Sequence, residues 1–483
     1  MIRTLLWYLL LPIVLLSNEQ VTDRPRIIAV THVTVIDATG AAPKPDMTVV
    51  IVNERISQLS PSKQINIPDG AHVIDGREKF LIPGLWDMHA HISDKTYLSL
   101  LIANGVTGVR DMGGSPDEFQ QLQRWRREIA DRIRIGPRIL MAGIHVDGPK
   151  QIGRPYSLNV GTGDEARRAV NTLKRSGADF IKVYSMLPRD AYLALAEEAR
   201  QQGLLFAGHV PFQVSVVEAS DVGQKSIEHL FGMFAACSVN ESALRDQAIA
   251  LINRDGFAAF VRAELQAQMR SLNSYDRKKA TALFARLVKN GTWQVPTLVG
   301  WRNLSSPEDF QLPRGGKYLS SEKREAWEKQ RTGLLSSLPT EYLKKPERLF
   351  DKQLELVGAM HRAGVGILAG TDTATLYVVP GFSLHEELTL LVKAGLSPMA
   401  ALQAATRNPA QYLGKLEVFG TIEAGKIADM VLLEANPLEN IGYTQRVAGV
   451  FVNGYFLSKA DLRILLDEVE SSVRHEKRFE QTP

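Results

Sequence analysis

The sequence has very little cysteine, and this scarcity limits its covalent chemistry. Cys237 is the only cysteine among 483 residues, so the chain cannot form an intramolecular disulfide. It lies in the small-residue run 234–238, and no catalytic-cysteine signature surrounds it. We interpret Cys237 as a buried structural thiol and expect neither disulfide stabilisation nor thiol catalysis.

Blocks of one charge sign are also absent. The net charge is +4, but lysine and arginine alternate with aspartate and glutamate almost throughout, which argues against a nucleic-acid partner. Charged residues make up 23% and hydrophobic residues 45% of the chain, as in ordinary soluble globular proteins. The length suffices for one large barrel and a smaller domain.

Long hydrophobic runs are lacking except at the N-terminus. One positive charge, Arg3, precedes an apolar run over residues 5–16, and polar residues follow at 17–20. This pattern predicts a signal peptide over residues 1–20 and export to the periplasm or the medium, because the run is too short for an ordinary membrane span. No clear small-x-small cleavage site follows, so an uncleaved N-terminal anchor stays open as the one membrane contact.

Short β-rich runs occur at both ends of the chain. At the N-terminal end they cover residues 27–37, 47–52, 56–59 and 73–75, and at the C-terminal end residues 420–433 and 447–456, with Asn453-Gly454 as a hairpin turn. Neither group has enough strands to bury a core alone. We therefore predict one composite β-sandwich domain from residues 21–82 plus 417–459.

The middle of the chain alternates strand-like and helix-length segments, which indicates an α/β fold. Eight candidate strands are residues 85–91, 105–111, 138–143, 180–184, 205–209, 226–229, 292–297 and 365–372. Helical patterns separate most of them, so residues 83–416 are predicted to form a (β/α)8 TIM barrel. Helix-rich insertions at about 238–290 and 300–360 interrupt the alternation, and residues 460–483 form a charged helical tail.

The first candidate barrel strand ends in two imidazoles. His89 and His91 are two residues apart, so on a strand their side chains point to the same side and can chelate one metal ion. The C-terminal end of a barrel strand is also where active sites lie. This pair alone is weak evidence, because buried hydrogen-bonded histidines are common.

Four later strands carry further candidate ligands at or near their ends. They are Lys182, His209, His229 and Asp372. Lys182 lies inside an apolar strand, where an ammonium group needs a partner, a lowered pKa or a covalent modification. Taken singly, His209 could be a core histidine and Lys182 could pair with a carboxylate, but six such residues at five of the eight strand ends favour a metal site.

These residues lie in motifs that resemble the amidohydrolase superfamily. The resemblance is to its imidazolonepropionase-like branch, which includes exported metallo-dipeptidases of the Xaa-Pro dipeptidase type and ochratoxinase-like amidases. The matching motifs occur in order at residues 83–91, 105–111, 181–183, 208–209, 228–229, 370–372 and 420–429.

The resemblance implies a site for two divalent metal ions, usually zinc. Lys182 would be N6-carboxylated to a carbamate that bridges both metals; His89, His91 and Asp372 would complete one metal site, and His209 and His229 the other. Two ions sharing a water would supply hydroxide near neutral pH. Asp372 would act as general base toward that water and then as general acid toward the leaving nitrogen.

Other polar residues near the strand ends are weaker candidates. Tyr184 lies two residues after Lys182 and could bind a substrate carbonyl or merely pack; His145 follows the third strand, where substrate-binding residues occur. Arg110 and Asp111 end the second strand, and we interpret them as a structural ion pair or as support for the ligands.

The sequence thus predicts an exported, metal-dependent hydrolase of carbon–nitrogen bonds. Its substrates would be small amides or peptides such as dipeptides or N-acyl amino acids. One alternative is a hydrolase of cyclic amides or imidazolone-type rings, whose relatives carry a single metal and dispense with the lysine. A second alternative is a non-catalytic binding protein on the same barrel. Neither the exact substrate nor an oligomeric state can be read from the sequence.

Overall fold

A computed structural model describes residues 26–149, 156–255, 257–305, 314–338, 342–343, 346–375 and 377–480. The predicted signal peptide, residues 1–20, lies outside the described residues. Among the helices of the described ranges, none combines the length and the apolar character needed to cross a bilayer.

Strands occur in three groups along the chain. In chain order they are β1 Ile27–Val35, β2 Lys44–Val52, β3 Arg55–Pro61, β4 His72–Asp75, β5 Phe80–Pro83, β6 Leu85–Ala90, β7 Val106–Asp111, β8 Arg138–Met141, β9 Val146–Asp147, β10 Leu158–Asn159, β11 Phe180–Val183, β12 Leu205–Gly208, β13 Ser226–Glu228, β14 Trp293–Val295, β15 Met430–Leu433, β16 Val447–Val452 and β17 Tyr455–Ser458.

Strands from both ends of the chain share one sheet. Its order is β17-β16-β15-β5-β1-β2-β3, and β4 pairs with β1. The two ends meet where β15 pairs antiparallel with β5, with Met430 opposite Pro83 and Leu433 opposite Phe80. The Val, Ile and Leu side chains of this sheet form a core of their own around residues such as Val30 and Ile51. Both ends of the chain thus contribute strands to one sheet.

The middle of the chain supplies parallel strands. Strands β6, β7 and β8 form one parallel sheet, and β10, β9, β11, β12, β13 and β14 form another. Backbone bonds continue from the first sheet to the second, because the amide of Asp179 donates to the carbonyl of Met141 at 2.9 Å. Parallel strands need crossover connections, which the intervening helices provide.

The predicted strand over residues 365–372 is irregular. It makes an isolated parallel bridge between Ile367 and Gln294, while the amide of Met88 donates to the carbonyl of Ala369 at 2.9 Å. The segment therefore lies between β14 and β6, the position predicted for the last strand. Gly370 explains the close approach, because a Cβ there would lie 2.8 Å from the backbone nitrogen of His89.

Helices fill most of the connections. They cover Lys95–Ala103, Pro116–Ala130, Gly163–Arg175, Arg189–Gln201, Val216–Asp221, Met233–Ala236, Glu241–Asp255, Phe257–Ser271, Arg277–Asn290, Leu298–Ser305, Ser321–Ser337, Pro346–Arg362, Phe382–Lys393, Pro398–Ala404, Arg407–Tyr412 and Lys459–Glu480, with 3-10 turns at Ser62–Gln64, Gly316–Tyr318 and Ile441–Gln445. Both predicted insertions are helical. Thr406, a cap residue with non-helical angles, separates the helices Pro398–Ala404 and Arg407–Tyr412.

A single glycine connects the sheet built from both chain ends to the parallel sheet that begins with β6. Gly84 connects β5 directly to β6, and its amide donates to the carbonyl of Asp429 at 2.8 Å. A Cβ at this position would lie 2.0 Å from Oγ1 of Thr107 on β7. Glycine is therefore required here by close approach rather than by an unusual backbone angle.

Replacement of Gly84 should destabilise the protein. We expect Gly84→Ala to lower the free energy of unfolding by about 1–3 kcal/mol, because the new methyl group overpacks the junction. Gly333→Ala is the matched control: a Cβ there meets nothing within 4 Å, and alanine favours its helix by up to about 1 kcal/mol. Denaturant unfolding of both variants measures the difference, and equal stabilities would contradict the role of Gly84.

Candidate metal centre

The six candidate ligands converge on one cavity. His89, His91, Lys182, His209, His229 and Asp372 all line a space of about 220 Å³. They lie at the C-terminal ends of β6, β11, β12 and β13 and of the segment before Asp372, which is where the side chains of neighbouring parallel strands meet. Lys182 is 1% exposed and His209 is 3% exposed, so these two side chains are held away from bulk water.

His89 and His91 direct the same ring atom toward Asp372. Nε2 of His89 lies 3.4 Å from Oδ1 of Asp372, and Nε2 of His91 lies 3.3 Å from the same oxygen. Nδ1 of His91 donates to the carbonyl of Gly113 at 2.7 Å, since a carbonyl can only accept. That bond leaves the lone pair on Nε2 when the ring is neutral, as a metal-binding imidazole requires.

A buried ion pair orients His89. Nδ1 of His89 contacts Oε2 of Glu228 at 2.6 Å, and Nη2 of Arg110 donates to both carboxylate oxygens of Glu228 at 2.9 and 3.1 Å. Arg110 also donates to the hydroxyls of Ser226 and Tyr412. A carboxylate on the second ring nitrogen fixes the tautomer of a ligating histidine and raises its basicity.

His209 and His229 are held through hydroxyl groups. Nδ1 of His209 contacts Oγ of Ser185 at 2.6 Å, and Nδ1 of His229 contacts Oγ1 of Thr297 at 2.9 Å. The ring of His229 lies 4.4 Å from that of His89 and 5.1 Å from that of His209, measured between centroids. With Nδ1 occupied, Nε2 is the ring atom left for a ligand.

Two of the candidate ligands adopt left-handed backbone angles. His229 has φ 61° and Asp372 has φ 64°, which non-glycine residues rarely adopt. Such strain persists only where the surroundings enforce it, and it is frequent in active sites. Asp87 helps to hold the backbone next to Asp372 in place. Its carboxylate accepts hydrogen bonds from the amide of Thr371 at 3.0 Å and from the hydroxyl of Thr371 at 2.6 Å.

Electrostatics favour neutral imidazoles around an ionised carboxylate. Burial, reinforced by the charge of Lys182, lowers the pKa of His89 and of His209 well below the usual value. Burial lowers the pKa of His229 to about 4, although Asp372 opposes the shift. Burial alone would raise the pKa of Asp372, but the contact with His91 and the surrounding imidazoles hold it below its usual range. These are the protonation states that bind metal ions.

Lys182 lies on β11 between the ligands of the two predicted metal sites. Its neighbour on β12 is Ala207, and a Cβ on Gly208 would lie 2.9 Å from Cδ of Lys182, so the glycine leaves room for the lysine side chain. Nζ of Lys182 lies 6.0 Å from the centre of the Tyr184 ring. A lysine in this position can reach groups in the cavity while its aliphatic stem packs among the parallel strands.

The donor set fits a divalent transition metal. Single ligand atoms of His89, His229 and Asp372 lie within 4.8 Å of one another. Nε2 of His89 is buried and has no hydrogen-bond partner, which is costly unless a cation occupies the space beside it. Imidazole nitrogens and a carboxylate oxygen are the ligands that zinc and its neighbours prefer.

The weaker candidates occupy different positions. Tyr184 lines the cavity, and its ring lies 4.2 Å from that of His209. His145 is 1% exposed and packs between the rings of His91 and Tyr184, but it is not among the described residues that line the cavity. The structure therefore brings Tyr184, but not His145, to the cavity surface.

Arg110 and Asp111 do not pair with each other. Arg110 pairs with Glu228, as described above, while the carboxylate of Asp111 accepts from the amides of Ile92 and Gly113 at 2.8 and 2.9 Å. The interpretation of these residues as support for the ligands agrees with this geometry, but that of an Arg110–Asp111 ion pair is wrong. On β7 the two side chains point to opposite sides because they are adjacent.

The remaining walls of the cavity were not predicted from the sequence. Most of these residues belong to the helical insertions: Phe260, Val261 and Glu264 on one helix, Gly300, Trp301 and Leu304 on another, and Gln330 on a third. Phe231 and Thr375 follow ligand-bearing segments. Phe231 and Thr375 could have been predicted only from their closeness in sequence to His229 and Asp372. Loop and insertion residues follow no spacing rule that would predict the others.

Known proteins resemble this chain in sequence. Residues 318–457 match the model of the amidohydrolase family. The chain carries an amidohydrolase family domain. Ochratoxinase from Aspergillus niger is 23% identical over 454 residues, which cover 81% of this chain and 76% of the relative.

Solved structures resemble the chain over most of its length. Bottromycin amidohydrolase superposes with a TM-score of 0.73 at 26% identity, covering 93% of this chain and 91% of the other. An Xaa-Pro dipeptidase with bound methionine in its active site gives a TM-score of 0.64 at 20% identity, covering 89% and 100%, and shows the fold alone. The predicted family and the predicted hydrolase of carbon–nitrogen bonds are confirmed, as is the α/β content of an amidohydrolase fold.

Loss of the Glu228 carboxylate should weaken metal binding at the candidate site. We expect Glu228→Gln to lower metal affinity about 10- to 100-fold, because His89 loses the partner that fixes its ring. Competition with a chromophoric chelator measures the affinity. The variant also leaves Arg110 without its ion-pair partner, so the double variant Arg110→Met/Glu228→Gln is the control for stability. Wild-type affinity in either variant would contradict the role of Glu228.

A second buried carboxyl supports the helix that forms one cavity wall. Oε2 of Glu387 accepts from the amide of Val299 at 2.8 Å, at the start of helix Leu298–Ser305. Burial raises the pKa of Glu387 from 4.5 to about 8. The folded protein therefore retains a proton on Glu387 at neutral pH, where the unfolded chain has lost it.

This difference makes stability depend on pH. Between pH 4.5 and about 8 the unfolded state binds fewer protons than the folded state, so the contribution of Glu387 to stability falls as pH rises, by at most about 1.4 kcal/mol per pH unit. We expect Glu387→Gln, which does not titrate, to gain stability relative to the wild type from pH 5 to pH 8. Denaturant unfolding at both pH values measures this, and parallel pH profiles would contradict it.

Proposed function

We propose that the protein is a metal-dependent amidohydrolase that cleaves the carbon–nitrogen bond of small amides or peptides, such as dipeptides or N-acyl amino acids. The observation that carries the proposal is the convergence of four imidazoles, one lysine and one carboxylate in a single cavity. The scaffold we propose is a closed (β/α)8 barrel with a composite β-sandwich domain.

The six residues would hold two divalent metal ions, with zinc the metal that suits them best. His89, His91 and Asp372 are proposed for one ion, and His209 and His229 for the other. When bound, the ions supply Lewis acidity that polarises a carbonyl oxygen and activates water near neutral pH. Their absence would leave Nε2 of His89 buried without a partner.

Lys182 is proposed to be N6-carboxylated. A buried ammonium group among four histidines is unfavourable, and its charge contributes to the low pKa of His89 and His209. Carboxylation would turn this cation into an anion with two oxygen ligands, which removes the cost of burying the positive charge. Lys182 would then bridge the two metal sites.

Asp372 is the proposed proton carrier. It lies beside Nε2 of both His89 and His91, and its lowered pKa keeps it ionised at neutral pH. An ionised carboxylate in this place can take a proton from the attacking water as general base and return it to the leaving nitrogen as general acid. Tyr184, on the cavity surface, is proposed to bind the substrate.

The proposed substrates are small amides or peptides, and the proposed location is outside the cytoplasm. Relatives described as an ochratoxinase and an Xaa-Pro dipeptidase support amide or peptide substrates. The cavity of about 220 Å³ suits a small molecule rather than a protein chain. Export to the periplasm or the medium is proposed from the N-terminal sequence pattern.

Removal of the proton carrier should abolish most of the activity. We expect Asp372→Asn to lower kcat on a dipeptide or N-acyl amino acid about 100- to 10,000-fold, because an amide cannot accept the proton. The exposed turn residue Asp69 provides the control: Asp69→Asn should retain wild-type kcat. Metal-loaded wild type that hydrolyses no member of a dipeptide, N-acyl amino acid and lactam library would refute the proposed function.

The metal content distinguishes the proposal from hydrolysis of cyclic amides at a single metal. We expect about two metal ions per chain in the wild type and at most one in Lys182→Met, because the bridging group is lost. Elemental analysis measures this ratio, and intact mass at neutral pH tests for a carboxyl group on Lys182. One metal per chain in both proteins, with activity on lactams, would favour the alternative.

A further inference from the structure

One buried carboxyl in the cavity has no role in the proposed hydrolysis. Glu264 lies on helix Phe257–Ser271, one turn after Phe260, and both residues line the cavity. Glu264 is 4% exposed. Apart from Asp372, it is the only carboxyl among the described residues that line the cavity.

The hydrogen bonds of Glu264 leave one oxygen available. The amide of Gly232 donates to Oε1 at 3.4 Å, and Nε2 of Gln268 donates to the same Oε1 at 3.1 Å. Within the described part of the chain, Oε2 accepts no hydrogen bond. Because Glu264 lines the cavity, Oε2 is available to accept a hydrogen bond from a ligand there.

The surroundings of Glu264 favour a positively charged ligand. The ring of Phe231 lies 5.4 Å from that of Phe260 and 6.1 Å from that of Trp301, and all three line the cavity. Aromatic faces attract cations, and a carboxylate provides the countercharge. Lys182 is the one cationic side chain among the described lining residues, and it belongs to the proposed metal centre.

We propose that Glu264, Phe231, Phe260 and Trp301 form a subsite for an ammonium group carried by the substrate. This inference rests on the proposed hydrolysis and narrows its substrate class. The preferred amides would carry a primary amine, separated from the scissile carbonyl by an apolar segment that packs against the three rings. Oε2 of Glu264 would accept a hydrogen bond from the ammonium group.

The test compares matched amides in the metal-loaded enzyme. Each pair shares the leaving group and the acyl chain length, and the acyl chain ends either in a primary amine or in a methyl group. At one or more chain lengths, we expect the wild type to prefer the amine about 10-fold or more in kcat/KM, because a charge-assisted hydrogen bond is lost with methyl.

Glu264→Gln separates recognition from structural support. Its amide oxygen can still accept from Gly232 and Gln268, so it should lose the amine preference, mainly through a higher KM, and retain kcat/KM on the methyl substrate within about twofold. Glu468→Gln, which removes an exposed charge outside the cavity, should behave as the wild type. An equal loss on both substrates, or no amine preference at any length, would overturn the subsite.

Failure of the hydrolase proposal is distinguishable from failure of the subsite. If the wild type hydrolyses neither substrate of any pair, calorimetric binding of uncleavable amine and methyl analogues decides the question. Tighter binding of the amine analogue that is lost in Glu264→Gln supports the subsite without hydrolysis. Equal binding of the two analogues to the wild type overturns the subsite.

Discussion

The site depends on a buried hydrogen-bond network that passes from Arg110 through Glu228 to His89. All three side chains are almost completely inaccessible, and the contacts between them are 2.6–3.1 Å long. Removing Arg110 or Glu228 would leave an unpaired charge in the protein interior. The network therefore links the orientation of a proposed metal ligand to the packing of three separate strands, so the geometry of that ligand and the stability of the fold cannot vary independently.

A short connection joins the sheet built from both chain ends to the strands that carry the candidate ligands. β5 ends at Pro83, Gly84 crosses between the two sheets, and β6 runs straight to His89 within six residues. Asp429 of the C-terminal segment accepts from Arg138 at 2.6 Å, at the start of β8. The proposed metal centre is thus anchored at its first strand to a sheet that both chain ends build, and this sheet restrains the strand without contributing a ligand.

Much of the fold and of the ligand set was predictable from the sequence because it follows local rules. The helix Pro116–Ala130 has a proline at its start and a full capping box at Ser115 and Glu118. His89, His91 and His209 follow apolar strands, so strand periodicity was enough to place them at one edge. The segment before Asp372 is irregular. It packs closely at Gly370 and makes only isolated backbone hydrogen bonds to β14 on one side and to β6 on the other, instead of the regular hydrogen bonds of a paired strand.

The remaining features depend on contacts between distant parts of the chain. Glu228 and His89 are 139 residues apart, and no local pattern relates them. Glu264 and Trp301 reach the cavity from separate insertion helices, whose placement depends on packing against the barrel. Sequence could therefore predict the proposed chemistry of the centre, while the side chains that select a substrate required a three-dimensional structure.

Anomalous diffraction from crystals grown with zinc tests the central claim most directly. The account predicts two peaks about 3.5–4 Å apart, each about 2.0–2.2 Å from its nitrogen and oxygen ligands. One peak should lie among His89, His91 and Asp372, and the other beside His209 and His229. No peak in this cavity, or zinc bound only elsewhere on the protein, would contradict the account.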